Sequence, residues 1–169
     1  MTWRGSTTTT DRILACLPYL WLLVEILSIG AGNTVRGFMF GIPIVQQFDW
    51  LDTLLLPLKP LVGLYVGVVS LPFAKLMIFF LIYFAIVRNP RIVHFIRFSA
   101  MQVLLIDIAI FALSLFLALA NSNFINQAFL NGIFLVGFAV FCYGVFQTLL
   151  GKYAEIPPIS DAVYIHVRD

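Results

Sequence analysis

The chain has 169 residues, of which 62% are hydrophobic and only 11% are charged. A soluble domain carries about 25% charged residues, so this composition excludes an ordinary soluble protein and indicates a membrane protein. The net charge of +2 is small, and the basic residues lie near helix ends rather than along one face, which excludes a nucleic-acid-binding surface. The length predicts one compact helical domain covering residues 1–169.

The N-terminal segment, residues 1–10, is short and rich in threonine. It is too short and too polar to resemble a cleaved signal sequence or a transit peptide. Asp11 is placed to cap a helix, and the apolar sequence that follows predicts the first transmembrane span at residues 12–29.

The next apolar stretch is interrupted by prolines. Pro57, Pro60 and Pro72 each break an α-helix when they lie in its interior. The stretch is too long for one span of about 20 residues, and it lacks a polar turn that would separate two. We therefore predict an interfacial or re-entrant segment at residues 51–69 and a second span at 71–87.

The second half of the chain predicts two more spans. The third covers residues 98–120 and follows an amphipathic segment, 92–102, expected to lie along the lipid headgroups. The fourth covers residues 128–150, and the polar residues 151–169 predict a short soluble tail. The predicted fold class is all-α, a polytopic membrane protein with four transmembrane helices plus the interfacial or re-entrant segment between the first and second.

A basic loop between the second and third spans predicts the orientation. Arg88, Arg91 and Arg97 lie between two long apolar runs. Four spans place this loop and both termini on one side, with seven basic residues there and two on the other. Arginine and lysine accumulate on the side from which a membrane protein is inserted, so this side is predicted to be cytoplasmic.

Three ionisable residues fall within the predicted spans: Glu25, Lys75 and Asp107. Such residues are candidates for function because charge is costly in hydrocarbon. With a rise of about 1.5 Å per residue, Glu25 and Lys75 lie about 20 Å from the basic end, and Asp107 about 15 Å. They could line a hydrated path; alternatively, Glu25 and Lys75 form an ion pair, or Lys75 extends to the headgroups.

Glycines recur at helical spacing in two segments. Gly63 and Gly67 form a G-x-x-x-G pattern, and Gly137 and Gly144 lie seven residues apart. Small residues let membrane helices approach closely, so these glycines are predicted to pack helices, within the chain rather than at a dimer interface.

The sequence predicts no enzyme. Cys16 and Cys142 lie in apolar segments, which favours buried thiols over a disulfide or a metal site. Neither His94 nor His166 has a carboxylate or cysteine partner at ligand spacing, and the common hydrolase, zinc-protease and P-loop motifs are missing. We expect no catalytic residue, no cofactor and no metal site.

Segments spread over nearly the whole chain resemble one known family. They are LACLPYL (14–20), LPFA (71–74), VRNP (87–90), HFIRF (94–98) with MQ (101–102), and GKY (151–153) with Pro157 and ISDAVY (159–164). The chain is similar to the Tic twenty-kilodalton family, a channel subunit of the translocon at the inner chloroplast envelope, and to its cyanobacterial and plastid-encoded relatives. The stretch from 71 to 107 is the most specific part.

The resemblance implies a four-helix membrane protein with both termini in the stroma or cytoplasm. It implies a preprotein-conducting channel, with other translocon subunits, preprotein substrates and the lipid bilayer as partners, in an oligomer or hetero-complex. Nuclear-encoded plant members carry a transit peptide, so a start without one predicts a cyanobacterial or plastid-encoded member. Two alternatives remain: a small-solute or ion channel or transporter, and a non-conducting membrane assembly scaffold. A transporter built from repeats would have paired broken helices, whereas only the region before residue 71 is broken.

Overall fold

The computed structural model describes residues 8–29, 48–71, 73–119, 123–157 and 159–167, and every regular element in these ranges is helical. The all-α class is therefore confirmed. The elements are α1 (Thr9–Ser28), α2 (Asp49–Leu55), a 3-10 turn (Leu56–Leu58), α3 (Lys59–Val69), α4 (Ala74–Ile82), a π-helical turn (Tyr83–Val87), α5 (His94–Leu119), α6 (Asn123–Leu149) and α7 (Ile159–His166).

Helix α1 begins with a capping box. The Thr8 hydroxyl accepts a hydrogen bond from the Asp11 N–H, and the Asp11 carboxylate accepts one from the Thr8 N–H. The cap is thus Thr8, and the prediction that Asp11 caps the helix is wrong by three positions. Asp11 still contributes, because the side-chain and backbone hydrogen bonds from Thr8 stabilise its charged form and lower its pKa.

Helix α1 lies at the centre of the bundle and packs against α5, α6 and α3. Its buried side chains lie mostly in its second half and include Tyr19, Leu22, Ile26 and Leu27. Pro18 lies inside the helix without ending it. The thiols differ from expectation: Cys16 is half-buried, but Cys142 is exposed on α6, so the prediction of a buried thiol is wrong there.

Contrary to the prediction, the prolines do not interrupt the segment 51–69. Pro57 lies in the 3-10 turn and Pro60 in the first turn of α3, both at the start of a helical element, where a proline removes no hydrogen bond. The segment therefore stays helical, and residues Asp52–Val69 are long and apolar enough to cross a membrane. The predicted re-entrant interruption is not seen.

The predicted second span is shorter than expected. Phe73 has a positive φ of 63°, and helix α4 begins only after it. Ala74–Val87 is an apolar helix that is shorter than a membrane span of about 20 residues. Helix α3 ends at Val69 and α4 begins at Ala74, so the predicted start at residue 71 is too early; Pro72 lies outside the described residues.

Helices α5 and α6 match the predicted third and fourth spans, because His94–Leu113 and Ile125–Leu149 are long and apolar enough to cross a membrane. Helix α5 runs without a break from His94 to Leu119, so no bend separates the amphipathic residues from the span, and the place of 92–102 along the headgroups stays a prediction. Helix α1 has 20 residues but contains Asp11, Arg12 and Glu25. Length and composition thus support three spans among the described residues, and the count of four stays a prediction.

Residues 153–157 and 159–167 fold back onto the bundle, whereas we predicted a soluble tail. Helix α7 packs on α5, with Val163 and Val167 buried there. The Tyr153 ring meets Phe98 edge-on, with ring centroids 4.9 Å apart.

Several contacts join the chain segments at one end of the bundle, here called the basic end. The Arg12 guanidinium donates to the Leu149 carbonyl, which joins the start of α1 to the end of α6. The Arg97 guanidinium donates to the Val87 carbonyl over 2.8 Å, which ties the basic loop to α5. The loop, the start of α1 and the C-terminal segment therefore lie together.

Candidate functional site

The three ionisable residues predicted within the spans meet in one cluster, hereafter the charged cluster. Glu25 comes from α1, Lys75 from the first turn of α4 and Asp107 from the middle of α5. The Lys75 ammonium nitrogen lies 2.5 Å from Glu25 Oε1 and 3.2 Å from Asp107 Oδ1. Lys75 thus bridges two carboxylates that lie 82 positions apart in the sequence.

Burial differs among the three side chains. Glu25 is 6% exposed and Asp107 8%, whereas Lys75 is 26% exposed. The Lys75 ammonium also lies 5.2 Å from the centre of the Phe111 ring, where the face of the ring attracts a cation. The carboxylates are therefore enclosed by protein, and the lysine forms the outer wall of the cluster.

The hydrogen bonds of the cluster are incomplete. Glu25 Oε2 is buried and has no hydrogen-bond partner among the described residues. Asp107 Oδ1 contacts the ammonium but is not aligned for a hydrogen bond to it. Ionised carboxylates in low dielectric need several donors, so one lysine does not satisfy both groups.

A groove opens beside the charged cluster on the outer surface of the bundle. Its volume is about 230 Å³, and it lies between α4 and α5. Its walls are formed by Lys75, Leu76, Phe79, Asp107, Ile108 and Phe111. A ligand or chain segment in this groove would meet an apolar surface with one charged patch.

This geometry decides between the alternatives for Lys75. The side chain pairs with Glu25 rather than extending to the headgroups. Asp107 has its partner on another helix, since Arg97 is occupied with the Val87 carbonyl. Helical rise predicts that Asp107 lies nearer the basic end than Glu25. The long Lys75 side chain nevertheless reaches both carboxylates.

The candidate packing glycines divide into two groups. A Cβ atom on Gly137 would lie 2.5 Å from Ile26 Cδ1, and one on Gly144 would overlap the Tyr19 ring. These two glycines let α6 approach α1 closely. Among the described residues, no atom lies within 4 Å of such a Cβ position on Gly67, so the prediction that it packs within the chain is wrong for this part of the structure. Gly63 is half-buried on the same helix.

The basic loop has the arginines at its surface. Arg88 and Arg91 are exposed, and the Arg91 backbone N–H donates to the Asn89 side chain. Arg97 is half-buried through its bond to Val87. The loop is therefore anchored, with two guanidinium groups left facing outward.

Two further groups of polar contacts were not predicted from the sequence. His94 lies 3.1 Å from the Tyr153 hydroxyl and 3.1 Å from the Val167 carbonyl, through different ring nitrogens. Deeper in the bundle, the Tyr19 hydroxyl donates to the buried Gln102 side chain. No periodic pattern in the sequence links His94 to polar groups so distant in the chain.

The chain from the capped start of α1 into helix α7 matches a known protein family. The family described as "Chloroplast import apparatus Tic20-like" matches residues 8–163. This chain belongs to the Tic20 family. The match includes the charged cluster, the basic loop and most of the C-terminal segment.

Individual Tic20 relatives cover nearly the same extent. The chain is 37% identical to a Tic20 family protein of Synechocystis sp., over 94% of this chain and 93% of the relative. It is 29% identical to Protein TIC 20-II, chloroplastic, of Arabidopsis thaliana, over 92% of this chain and 72% of the relative. It is also 29% identical to the Tic20 family protein Ycf60 of Gracilaria tenuistipitata, over 95% of this chain and 76% of the relative.

Proposed function

We propose that this chain is a membrane subunit of a preprotein translocation complex, in the plastid inner envelope or the equivalent cyanobacterial membrane. The observation that carries the proposal is the family match over residues 8–163, because the family is described as part of the chloroplast import apparatus. The partners are then other translocon subunits and the preprotein itself, within a lipid bilayer.

The chain contributes one wall of the translocation path rather than a complete pore. The grooves on the described residues are lined almost wholly by apolar side chains, and the charged cluster is the polar exception. A polypeptide carries polar backbone groups that need partners in the membrane. The groove between α4 and α5 offers such groups beside apolar walls, which supports a path formed there together with other subunits.

Cysteine crosslinking of an arrested preprotein tests this proposal. In a background with Cys16→Ala and Cys142→Ala, single cysteines replace Leu76 and Ile108, which line the groove. Leu81→Cys is the matched control, since Leu81 is 67% exposed on the same helix as Leu76. We expect crosslinks to the preprotein at positions 76 and 108 and none at 81. Equal crosslinking at all three positions, or none at any, contradicts the proposal.

We also propose that the basic end faces the stroma or cytoplasm. Two exposed arginines in the loop support this orientation, because basic side chains are retained on the side of insertion. The Arg12–Leu149 and His94–Tyr153 contacts join both terminal regions to that end. In the same cysteine-free background, Val93→Cys and Glu155→Cys should react with an impermeant thiol reagent from the stromal or cytoplasmic face alone. Labelling of either from the opposite face contradicts the orientation.

A non-conducting assembly scaffold is the second candidate. The apolar lining of the larger grooves favours it, since a scaffold needs surfaces for other membrane helices and no polar path. The same cysteine variants distinguish the two functions. A scaffold gives crosslinks to membrane proteins and no crosslink to a preprotein in transit.

A further inference from the structure

The charged cluster has an excess of negative charge. When all three groups are ionised, Glu25 and Asp107 carry two negative charges and Lys75 one positive charge. Hydrocarbon neither hydrates nor screens the remaining charge, so a buried net charge at this depth is unfavourable. The structure therefore needs a second positive charge near the two carboxylates.

No second basic side chain of the described residues supplies that charge. Lys59 pairs with Asp52, and Arg12 and Arg97 donate to backbone carbonyls at the basic end. Arg88 and Arg91 are exposed on the loop, and Lys152 is exposed on the C-terminal segment.

The titratable side chains described on the neighbouring helices α3 and α6 are thiols and phenols, which cannot carry a positive charge. Helix α3 brings Tyr65 against Trp21, one turn before Glu25 on α1. Helix α6 carries Cys142 and Tyr143, and the Tyr143 hydroxyl donates to the Glu155 carbonyl at the basic end. These groups therefore do not balance the negative charge of the second carboxylate.

A buried acceptor marks the place for the missing charge. Glu25 is more than nine-tenths buried, and its Oε2 atom has no hydrogen-bond partner among the described residues. Because both carboxylates contact the same lysine nitrogen, their oxygens lie close to each other. A single proton or small ion between them satisfies both groups.

We propose that Glu25, Lys75 and Asp107 form a site that binds one monovalent cation, either a proton or an alkali-metal ion. When the cation is a proton, one carboxylate oxygen forms an O–H bond and donates it to the other carboxylate, so the cluster becomes neutral. Nothing is oxidised or reduced, and the proton comes from water through the groove beside Lys75. This inference does not depend on the proposed role in translocation.

Infrared spectroscopy of the full-length protein in lipid nanodiscs tests for the proton. We expect the wild type to show the carbonyl stretch of one protonated carboxyl group at neutral pH. Glu25→Gln and Asp107→Asn should each abolish this band, because either change leaves a neutral pair with Lys75. Asp161→Asn is the control, since Asp161 is exposed on α7, and it should leave the band unchanged.

Thermal unfolding in different salts tests for the alkali-metal ion. If sodium or potassium occupies the site, the carboxyl band is missing, and the wild type is stabilised by NaCl or KCl but not by choline chloride. Glu25→Gln should remove that ion-specific stabilisation. A wild-type protein with neither the band nor ion-specific stabilisation overturns the proposal, whatever the folding of the variants.

Discussion

Helix α5 carries two polar clusters that are held together in different ways. At its start, His94 bonds to a tyrosine hydroxyl and a backbone carbonyl, near the basic end. Further along, Asp107 contacts a lysine that also pairs with a glutamate, and all three side chains are ionisable. The cluster around His94, hereafter the His94 cluster, joins the C-terminal segment to the bundle, whereas the charged cluster joins three helices.

The difference shows how depth in the membrane changes the value of a polar contact. Near the basic end a broken hydrogen bond can be replaced by water, so each contact has a modest net value. In the charged cluster the alternative to a partner is an unpaired charge in low dielectric. Mutations at the two clusters should therefore differ several-fold in their effect.

The largest effect is expected from Lys75→Met. It leaves two buried carboxylates without their shared ammonium group, and we expect a loss of about 3–5 kcal/mol in the free energy of unfolding. Lys59→Met is the matched control, because its partner Asp52 is 37% exposed and can be solvated. That change should cost less than about 1 kcal/mol. Denaturant unfolding in detergent micelles measures both, and equal losses would show that the cluster is not effectively buried.

The packing of α6 against α1, the helix that carries Glu25, should be the next most sensitive feature. Gly144→Ala places a Cβ atom against the Tyr19 ring and should cost about 1–3 kcal/mol. Gly67→Ala makes the same change on α3 in open space and should be neutral or stabilise by up to about 1 kcal/mol. Thermal unfolding of the two variants in the same detergent gives the comparison. A destabilised Gly67→Ala variant would reveal a contact made by that face in the assembled protein.

The His94 cluster should respond weakly. Tyr153→Phe removes the hydroxyl beside His94 but keeps the ring that packs on Phe95 and Phe98, so we expect a loss of about 1 kcal/mol. Tyr143→Phe, at a 40% exposed tyrosine, is the control and should cost less. Limited proteolysis of the C-terminal segment, with unfolding in parallel, measures both. A Tyr153→Phe loss as large as that of Lys75→Met would remove the distinction between the clusters.

The smallest effect is expected at the capped start of α1. Thr8→Ala removes the capping box and should lower the melting temperature by about 2–4 °C at neutral pH. The hydrogen bonds lower the folded-state pKa of Asp11 below its ordinary 3.8, so this stabilisation is present above that value and is lost as the pH falls through the folded-state pKa. Thr10→Ala, at an exposed position within the helix, is the control. If the difference in melting temperature between the wild type and Thr8→Ala does not shrink in acid, Asp11 does not contribute to the capping box.

Part of the fold was predictable because it depends on local sequence. Helices α5 and α6 follow from unbroken apolar runs, and the helical class follows from the need to satisfy backbone hydrogen bonds within each segment. The region 51–87 was harder. A proline kinks or breaks a helix in its interior but is tolerated in its first turn, and only the start of α3 at Lys59 shows which case applies to Pro60.

For the candidate site, the sequence by itself determined the residues and an approximate depth. An ionisable residue in an apolar run is conspicuous, and helical rise gives its level along the helix. Tertiary structure decided which residues meet, because the rotation of α1, α4 and α5 about their axes is set by packing. It also decided which glycines approach another helix and that His94 bonds to Tyr153, since close packing between distant segments leaves no local pattern in either segment.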